Sequence, residues 1–175
     1  MKKNIIVIGI AIAVFFQISV LVGEYVSASV PLWFGREIRL KTIPVDPRSM
    51  FRGNYALLNY DISRIDEKKF PGYEDLRNGE IVYIHLVPVE NGLYGFEKVS
   101  LASPESGVFI RGRIQNRRWE EDRTYFRIKY GIEAYFAPKE KALALEKDLA
   151  EGGIAVILIS DSGKAALKEV VPNLR

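Results

Sequence analysis

The chain is expected to be mainly β (α+β): a single β-rich domain, built as a bent sheet or open barrel with one packed helix, behind one N-terminal transmembrane helix. Three observations lead there. An apolar run opens the chain. Beyond residue 30, short segments alternate apolar and polar side chains at a period of two, split by Gly, Pro and Asn turns. Only one later stretch, opened by Pro138, has helical spacing.

Lys2 and Lys3 precede the apolar run, which extends from Ile5 to Gly23 over 19 residues and is broken only by Gln17 and Ser19. At about 1.5 Å of rise per residue, such a helix crosses a hydrocarbon core of roughly 30 Å. A cleavable signal peptide has a shorter apolar region, about 7–15 residues. The length favours a retained anchor, while Val26-Ser27-Ala28 offers small residues where cleavage would be chemically reasonable. On either reading the two lysines hold the N-terminus in the cytoplasm. The expected organisation is a cytoplasmic N-terminus over residues 1–4, an anchor over 5–24 and an extracytoplasmic domain over 30–175, periplasmic or extracellular. Gln17 and Ser19 are candidates for hydrogen bonds to a neighbouring membrane helix.

The head reads as strands in sequence. Arg36–Thr42 alternates charged and apolar residues, with mixed faces. Pro44 and Pro47 interrupt regular structure because each lacks an N–H and fixes φ. Tyr55–Ser63 is expected as a second strand, and Phe70–Leu76 as a loop. Asn78-Gly79 is a turn before Glu80–Val87, a continuous apolar strand with His85 inside it. Leu93–Ala102 and Val108–Gln115 follow, and Tyr125–Tyr130 alternates aromatic and basic residues as a half-buried strand does. After Pro138, Ala142, Leu145 and Leu149 form an apolar helical stripe that ends at Gly152-Gly153. Ile154–Ser160 is almost wholly apolar and belongs in the middle of a sheet. Asp161-Ser162-Gly163 turns the chain into a last strand, Ala165–Val171.

Composition narrows the function classes. Hydrophobic residues are 48% and charged residues 27% of the chain, which suits a packed domain rather than a disordered one. The net charge is +3, and the chain has no long basic block, so nucleic acid is not an expected partner. There is no cysteine and a single histidine, His85, which excludes thiol chemistry and a multi-histidine metal site. No loop has EF-hand spacing, and no Gly-rich phosphate loop is present, so neither metal nor cofactor is expected. His85, in its apolar strand, reads as a core or half-buried residue rather than a catalytic one.

The densest pattern is Pro47-Arg-Ser-Met-Phe-Arg-Gly-Asn-Tyr-Ala-Leu-Leu-Asn-Tyr60. Gly53 permits a bulge or a positive φ at the start of a strand, and Asn54 suits the same turn. In an extended strand Leu58 and Tyr60 share one face, and Tyr55 and Leu57 the other. This segment resembles the signature of the GDYxxLxY family of membrane-anchored bacterial proteins. Gly35-Arg-Glu-Ile-Arg-Leu-Lys-Thr, Pro44-Val-Asp-Pro-Arg and Tyr130-Gly-Ile-Glu-Ala-Tyr-Phe also resemble it, so the similarity spans most of the chain. The family has no established activity to carry over. Asn54 stands where the signature has aspartate, and Ser49 where an acidic residue is expected. Asn does not titrate, so acid–base work at that position is lost while a turn role survives.

The leading expectation is a non-enzymatic accessory or binding domain, because an anchor raises its effective concentration toward other membrane-bound proteins, and the resemblance implies that it accompanies an integral membrane protein. Arg48, Arg52, Gly53, Asn54, Tyr55, Leu58 and Tyr60 are its candidate motif or partner-binding residues, with Trp33 and Phe34 as a further contact near the membrane. The alternative is a hydrolase. Ser49-Met50 followed by Lys98 loosely resembles the type I signal peptidases, with Ser49 as nucleophile and Lys98 as its base. A lysine does this only when burial lowers its pKa. Wild-type behaviour of Ser49→Ala and Lys98→Ala variants in cells ends that reading.

Overall fold

The computed structural model describes residues 2–43, 55–120, 123–136 and 152–172. Its architecture is a curled half-barrel sheet behind one long N-terminal helix. Helix α1 runs from Lys2 to Phe34, 33 residues, or about 50 Å at 1.5 Å per residue. Its Ile6–Phe34 stretch contains an 18-residue window with a mean hydropathy of 2.6 and is long and apolar enough to cross a membrane. The helix continues well past Gly23, where the apolar run ends. The hydroxyls of Ser19 and Ser29 donate back to the carbonyls of Phe15 and Tyr25, at 2.9 Å each. Ser19 is thereby satisfied within its own helix.

Strands β1 (Arg36–Ile43), β2 (Tyr55–Leu57), β3 (Asn59–Tyr60) and β4 (Arg64–Asp66) are followed by β5 (Ile81–Pro88) and β6 (Tyr94–Ser100). Next come β7 (Val108–Glu120), β8 (Arg123–Lys129), β9 (Ala134–Phe136), β10 (Gly153–Ile159) and β11 (Ala165–Pro172). The main sheet runs β11-β10-β1-β6-β5-β7-β8-β4, with β3 added to the end of β1. All its ladders are antiparallel except β1 with β6. The apolar strand β10 lies between β1 and β11, as its composition requires.

Two expectations are corrected. Tyr55–Ser63 is not one strand: it breaks at Leu58, and Asp61–Ser63 is a turn of 3₁₀ helix. The break lets the chain change partners. β2 pairs with β9, β3 with β1, and β4 with β8. β1 and β8 are four places apart in the sheet, so this short segment draws the curl together. Nor is β1 mixed in its faces: Ile38, Leu40 and Thr42 are buried while their neighbours are exposed. Arg36, at the strand's first position, falls on the Ile38 face by period two and is exposed, so the burial alternation begins at Glu37. The strand from Val108 extends to Glu120, beyond the expected end at Gln115. The expected helix from Pro138 to Leu149 lies outside the described residues.

The core fills the concave side of the curl. Leu40, Tyr60, Val82, Ile84, Ile110 and Ile157 are fully buried within it, with Phe70 edge-on to Phe126 at 4.9 Å between ring centroids. A buried Thr42 closes the seam between β1 and β10: its hydroxyl donates to the Gly153 carbonyl at 2.9 Å and accepts from the Gly153 N–H at 2.7 Å.

One residue, Gly35, joins α1 to β1. Its N–H donates to the Pro31 carbonyl at 2.9 Å. A Cβ at position 35 would lie 2.2 Å from that carbonyl oxygen and 3.1 Å from the Ile159 nitrogen, so only glycine fits between helix and sheet. Pro31 and Ser29 are buried at this junction, and the Lys164 ammonium donates to the Ser27 hydroxyl. The helix and the head are thus fixed to each other over several contacts.

Candidate functional site

The described part of the signature is a structural clasp. Tyr60 is fully buried and donates its hydroxyl to the Ile132 carbonyl at 2.6 Å. Tyr130, also buried, donates to the Ile62 carbonyl at 2.5 Å. The two rings meet edge-on, 6.4 Å between centroids. Gly112 makes room for this: a side chain there would meet the Tyr130 ring at 3.0 Å and Ile128 at 2.4 Å. The Leu58 N–H donates to the Glu133 carbonyl at 2.8 Å. The Glu133 carboxylate accepts from the N–H groups of Tyr130 at 2.6 Å and Gly131 at 3.0 Å. Burial, with the Glu133 charge adding to it, raises the pKa of both hydroxyls far above the usual tyrosine range. They stay protonated as donors at any ordinary pH.

Tyr55–Leu57 pairs residue by residue with Ala134–Phe136. The two segments separately picked out by resemblance, the signature and Tyr130–Phe136, are therefore one unit in space. A family profile, described as GDYXXLXY protein, matches residues 17–170. The chain belongs to the GDYXXLXY family. No curated protein and no solved structure matches it. In this GDYXXLXY protein the signature leucine, Leu58, is 3% exposed and the final tyrosine, Tyr60, is 0% exposed. Both serve packing and strand closure. Tyr55 starts β2. Arg48, Ser49, Arg52, Gly53 and Asn54 lie outside the described residues.

Beside the clasp is a groove built from three adjoining hollows. The first, about 460 Å³, is lined by Ala28 and Pro31 of α1 and by Arg111, Lys164 and Ala165. It shares Arg111, Tyr130 and Gly131 with a second of about 380 Å³, which adds Arg113, Gln115 and Lys129. That one shares Gln115, Lys129 and Glu133 with a third of about 330 Å³, reaching Leu57, Asn59 and Arg127. The groove thus runs from the end of the helix to the signature strand. A β-bulge between Ile114 and Asn116 places the extra residue, Gln115, in its wall.

Five cations line the groove, Arg111, Arg113, Arg127, Lys129 and Lys164, against one acid, Glu133. Glu133 is committed to two backbone N–H groups. Three cations are held by neutral acceptors: Arg113 by the Gly79 carbonyl at 2.9 Å, Arg127 by Asn59 Oδ1 at 3.2 Å, and Lys164 by the Ser27 hydroxyl. These bonds position the side chains, and among the described residues none of the three acceptors carries a charge. Arg113 and Lys129 also stand opposite each other in register on β7 and β8, an unfavourable like-charge pair in the absence of an anion.

The linear sequence shows no basic face, and the fold assembles one. Its signal is the period-two spacing of Arg111 with Arg113 and of Arg127 with Lys129. That spacing acquires meaning only once β7 is known to pair with β8.

The remaining candidates are placed apart from the groove. Lys98 is exposed on β6, opposite His85 in register. His85 is half-buried, tilted against Phe109 at 6.4 Å, with Nε2 3.4 Å from the Ser100 hydroxyl. Trp33 and Phe34 are 57% and 82% exposed on the last turn of α1. Among the described residues no cluster of three or more His, Asp or Glu side chains could hold a metal.

Proposed function

We propose that this GDYXXLXY protein is a single-pass, membrane-anchored binding domain with no catalysis of its own. On this reading α1 stays in the bacterial plasma membrane with its N-terminus in the cytoplasm. The β head stands on the extracytoplasmic side and docks an integral membrane protein. The observation that carries the proposal is the one-residue junction at Gly35, with Ser29 and Pro31 buried against the head. A flexible linker would let the head sample a wide volume, whereas this junction holds it at the bilayer surface in one orientation. Confinement of that kind raises the effective concentration toward other membrane-bound proteins to the millimolar range. Trp33 and Phe34, exposed at the junction, supply aromatic contact area just outside the headgroup layer, where the extramembrane part of an embedded partner stands.

Affinity purification of the full chain in mild detergent, read by mass spectrometry, tests this. Stoichiometric recovery of an integral membrane protein is expected, and its loss from a Trp33→Ala/Phe34→Ala variant. Recovery of the chain alone as a monomer contradicts the partner. A strong signal from a reporter active only in the cytoplasm, fused to the C-terminus, contradicts the orientation.

A further inference from the structure

We infer that the groove between α1 and the signature strand binds the phosphate headgroup of anionic phospholipids in the leaflet at which the head stands. The inference rests on the anchored part of the proposed function and is independent of any protein partner.

The depth of the groove is the first argument. Glu24 is the first charged side chain after the apolar run, and a carboxylate is strongly disfavoured inside hydrocarbon. Ala28 and Pro31, which form the helix wall of the groove, lie four and seven residues further along α1, or roughly 6–10 Å at 1.5 Å per residue. The polar zone of a leaflet is about 5–8 Å deep. The mouth of the groove therefore sits at the headgroups and their outer edge.

The lining is the second. The hollow at the mouth combines two cations, Arg111 and Lys164, with Ala28, Pro31, Ile132 and Leu167, and no acid lines it among the described residues. An apolar wall beside paired cations suits a molecule with a phosphate next to alkyl and glycerol carbon. Arg113 and Lys129 continue the positive track inward. Lys164 is held by Ser27 of α1 itself, so its ammonium is fixed beside the helix that sets the depth.

A nucleic-acid strand would need stacking platforms along the track. The aromatic ring of the first two hollows, Tyr130, is buried with its hydroxyl committed to Ile62.

The full chain in mild detergent, titrated with phosphatidylglycerol or with phosphatidylcholine and read by native mass spectrometry, tests the inference. Phosphatidylglycerol is expected to be retained over phosphatidylcholine. Each cation near an anionic surface contributes about fivefold, so Arg111→Gln/Lys164→Gln is expected to lower that retention roughly twentyfold. Arg113→Gln/Lys129→Gln, whose side chains are both exposed and leave the core intact, is expected to lower it by several-fold. A melting curve like that of the wild type certifies each variant as folded. Equal retention of the two lipids overturns the inference, as does retention unchanged in the Arg113/Lys129 pair. Displacement of the lipid by millimolar inorganic phosphate assigns the groove to a free anion and also overturns it. So does loss of a co-purified protein from the variants with lipid retention intact, which assigns the groove to an acidic partner segment. Recovery of the chain without a protein partner leaves the lipid measurement standing, so the two readings fail separately.

Discussion

Tyr60 and Tyr130 are reciprocal: each hydroxyl donates to the carbonyl two residues beyond the other tyrosine, Tyr60 to Ile132 at 2.6 Å and Tyr130 to Ile62 at 2.5 Å. The pair ties the segment that bridges β1 and β8 to the turn before β9. The two carbonyls are committed to these hydroxyls in the buried core.

Removing either hydroxyl leaves a buried carbonyl without its donor, at a cost of about 1–3 kcal/mol. Tyr60→Phe and Tyr130→Phe are each expected to destabilise the head by that amount in denaturant titrations. The double variant is expected to depart from additivity by at least about 0.5 kcal/mol, because the rings touch. Strict additivity would show two independent bonds rather than a clasp.

The same pair sets an alkaline limit. Burial raises the pKa of Tyr60 and Tyr130 in the folded state, and Glu133 raises both further. In the unfolded chain both titrate near pH 10. Above that pH the unfolded state gives up protons that the folded state keeps. The stability these groups contribute is thus complete below about pH 10 and is lost as pH rises toward their folded values. Each tyrosine is expected to steepen the decline by up to about 1.4 kcal/mol per pH unit. Tyr60→Phe/Tyr130→Phe, less stable at pH 8, is expected to show a flatter decline between pH 9 and 11 in chemical denaturation.

Gly35→Ala tests the junction. Its methyl would press on the Pro31 carbonyl oxygen and the Ile159 nitrogen, both backbone atoms that cannot swing aside. A cost of about 1–3 kcal/mol is expected, concentrated where α1 meets the sheet. Amide hydrogen exchange is the measurement: faster exchange at Gly35 and across the Arg36–Ile159 pairing, with β5 and β7 unchanged. Uniform acceleration through the head would mean that the junction is not a separate mechanical unit.

Much of the fold is legible in the sequence because it is written locally. The apolar run marks α1, the alternation of Ile38, Leu40 and Thr42 marks β1, and Asn78-Gly79 marks the turn into β5. The break at Leu58 is not legible. Tyr55–Ser63 has the composition of one strand, and it divides because Tyr55–Leu57 pairs with β9 and Asn59–Tyr60 with β1, partners distant in the chain, before the 3₁₀ turn at Asp61–Ser63 leads into β4. The clasp shows the same limit. Tyr60 and Tyr130 each stand out in sequence, while their reciprocity depends on a 3₁₀ turn at Asp61–Ser63 that brings Ile62 under Tyr130. The groove is the extreme case. Its cations are spread from Arg111 to Lys164 and come together only when β7 pairs with β8 and the turn before β11 packs beside them.

Retention of α1 in the bilayer, with the head attached, is the premise of both the proposed docking role and the lipid site. Intact-mass measurement of the mature protein, after separating membranes from the soluble fraction and washing them with carbonate, tests this most directly. Recovery in washed membranes, with a mass that includes the whole apolar segment from Ile5 onward, is the predicted result. A soluble head beginning near Ser27-Ala28 would contradict it.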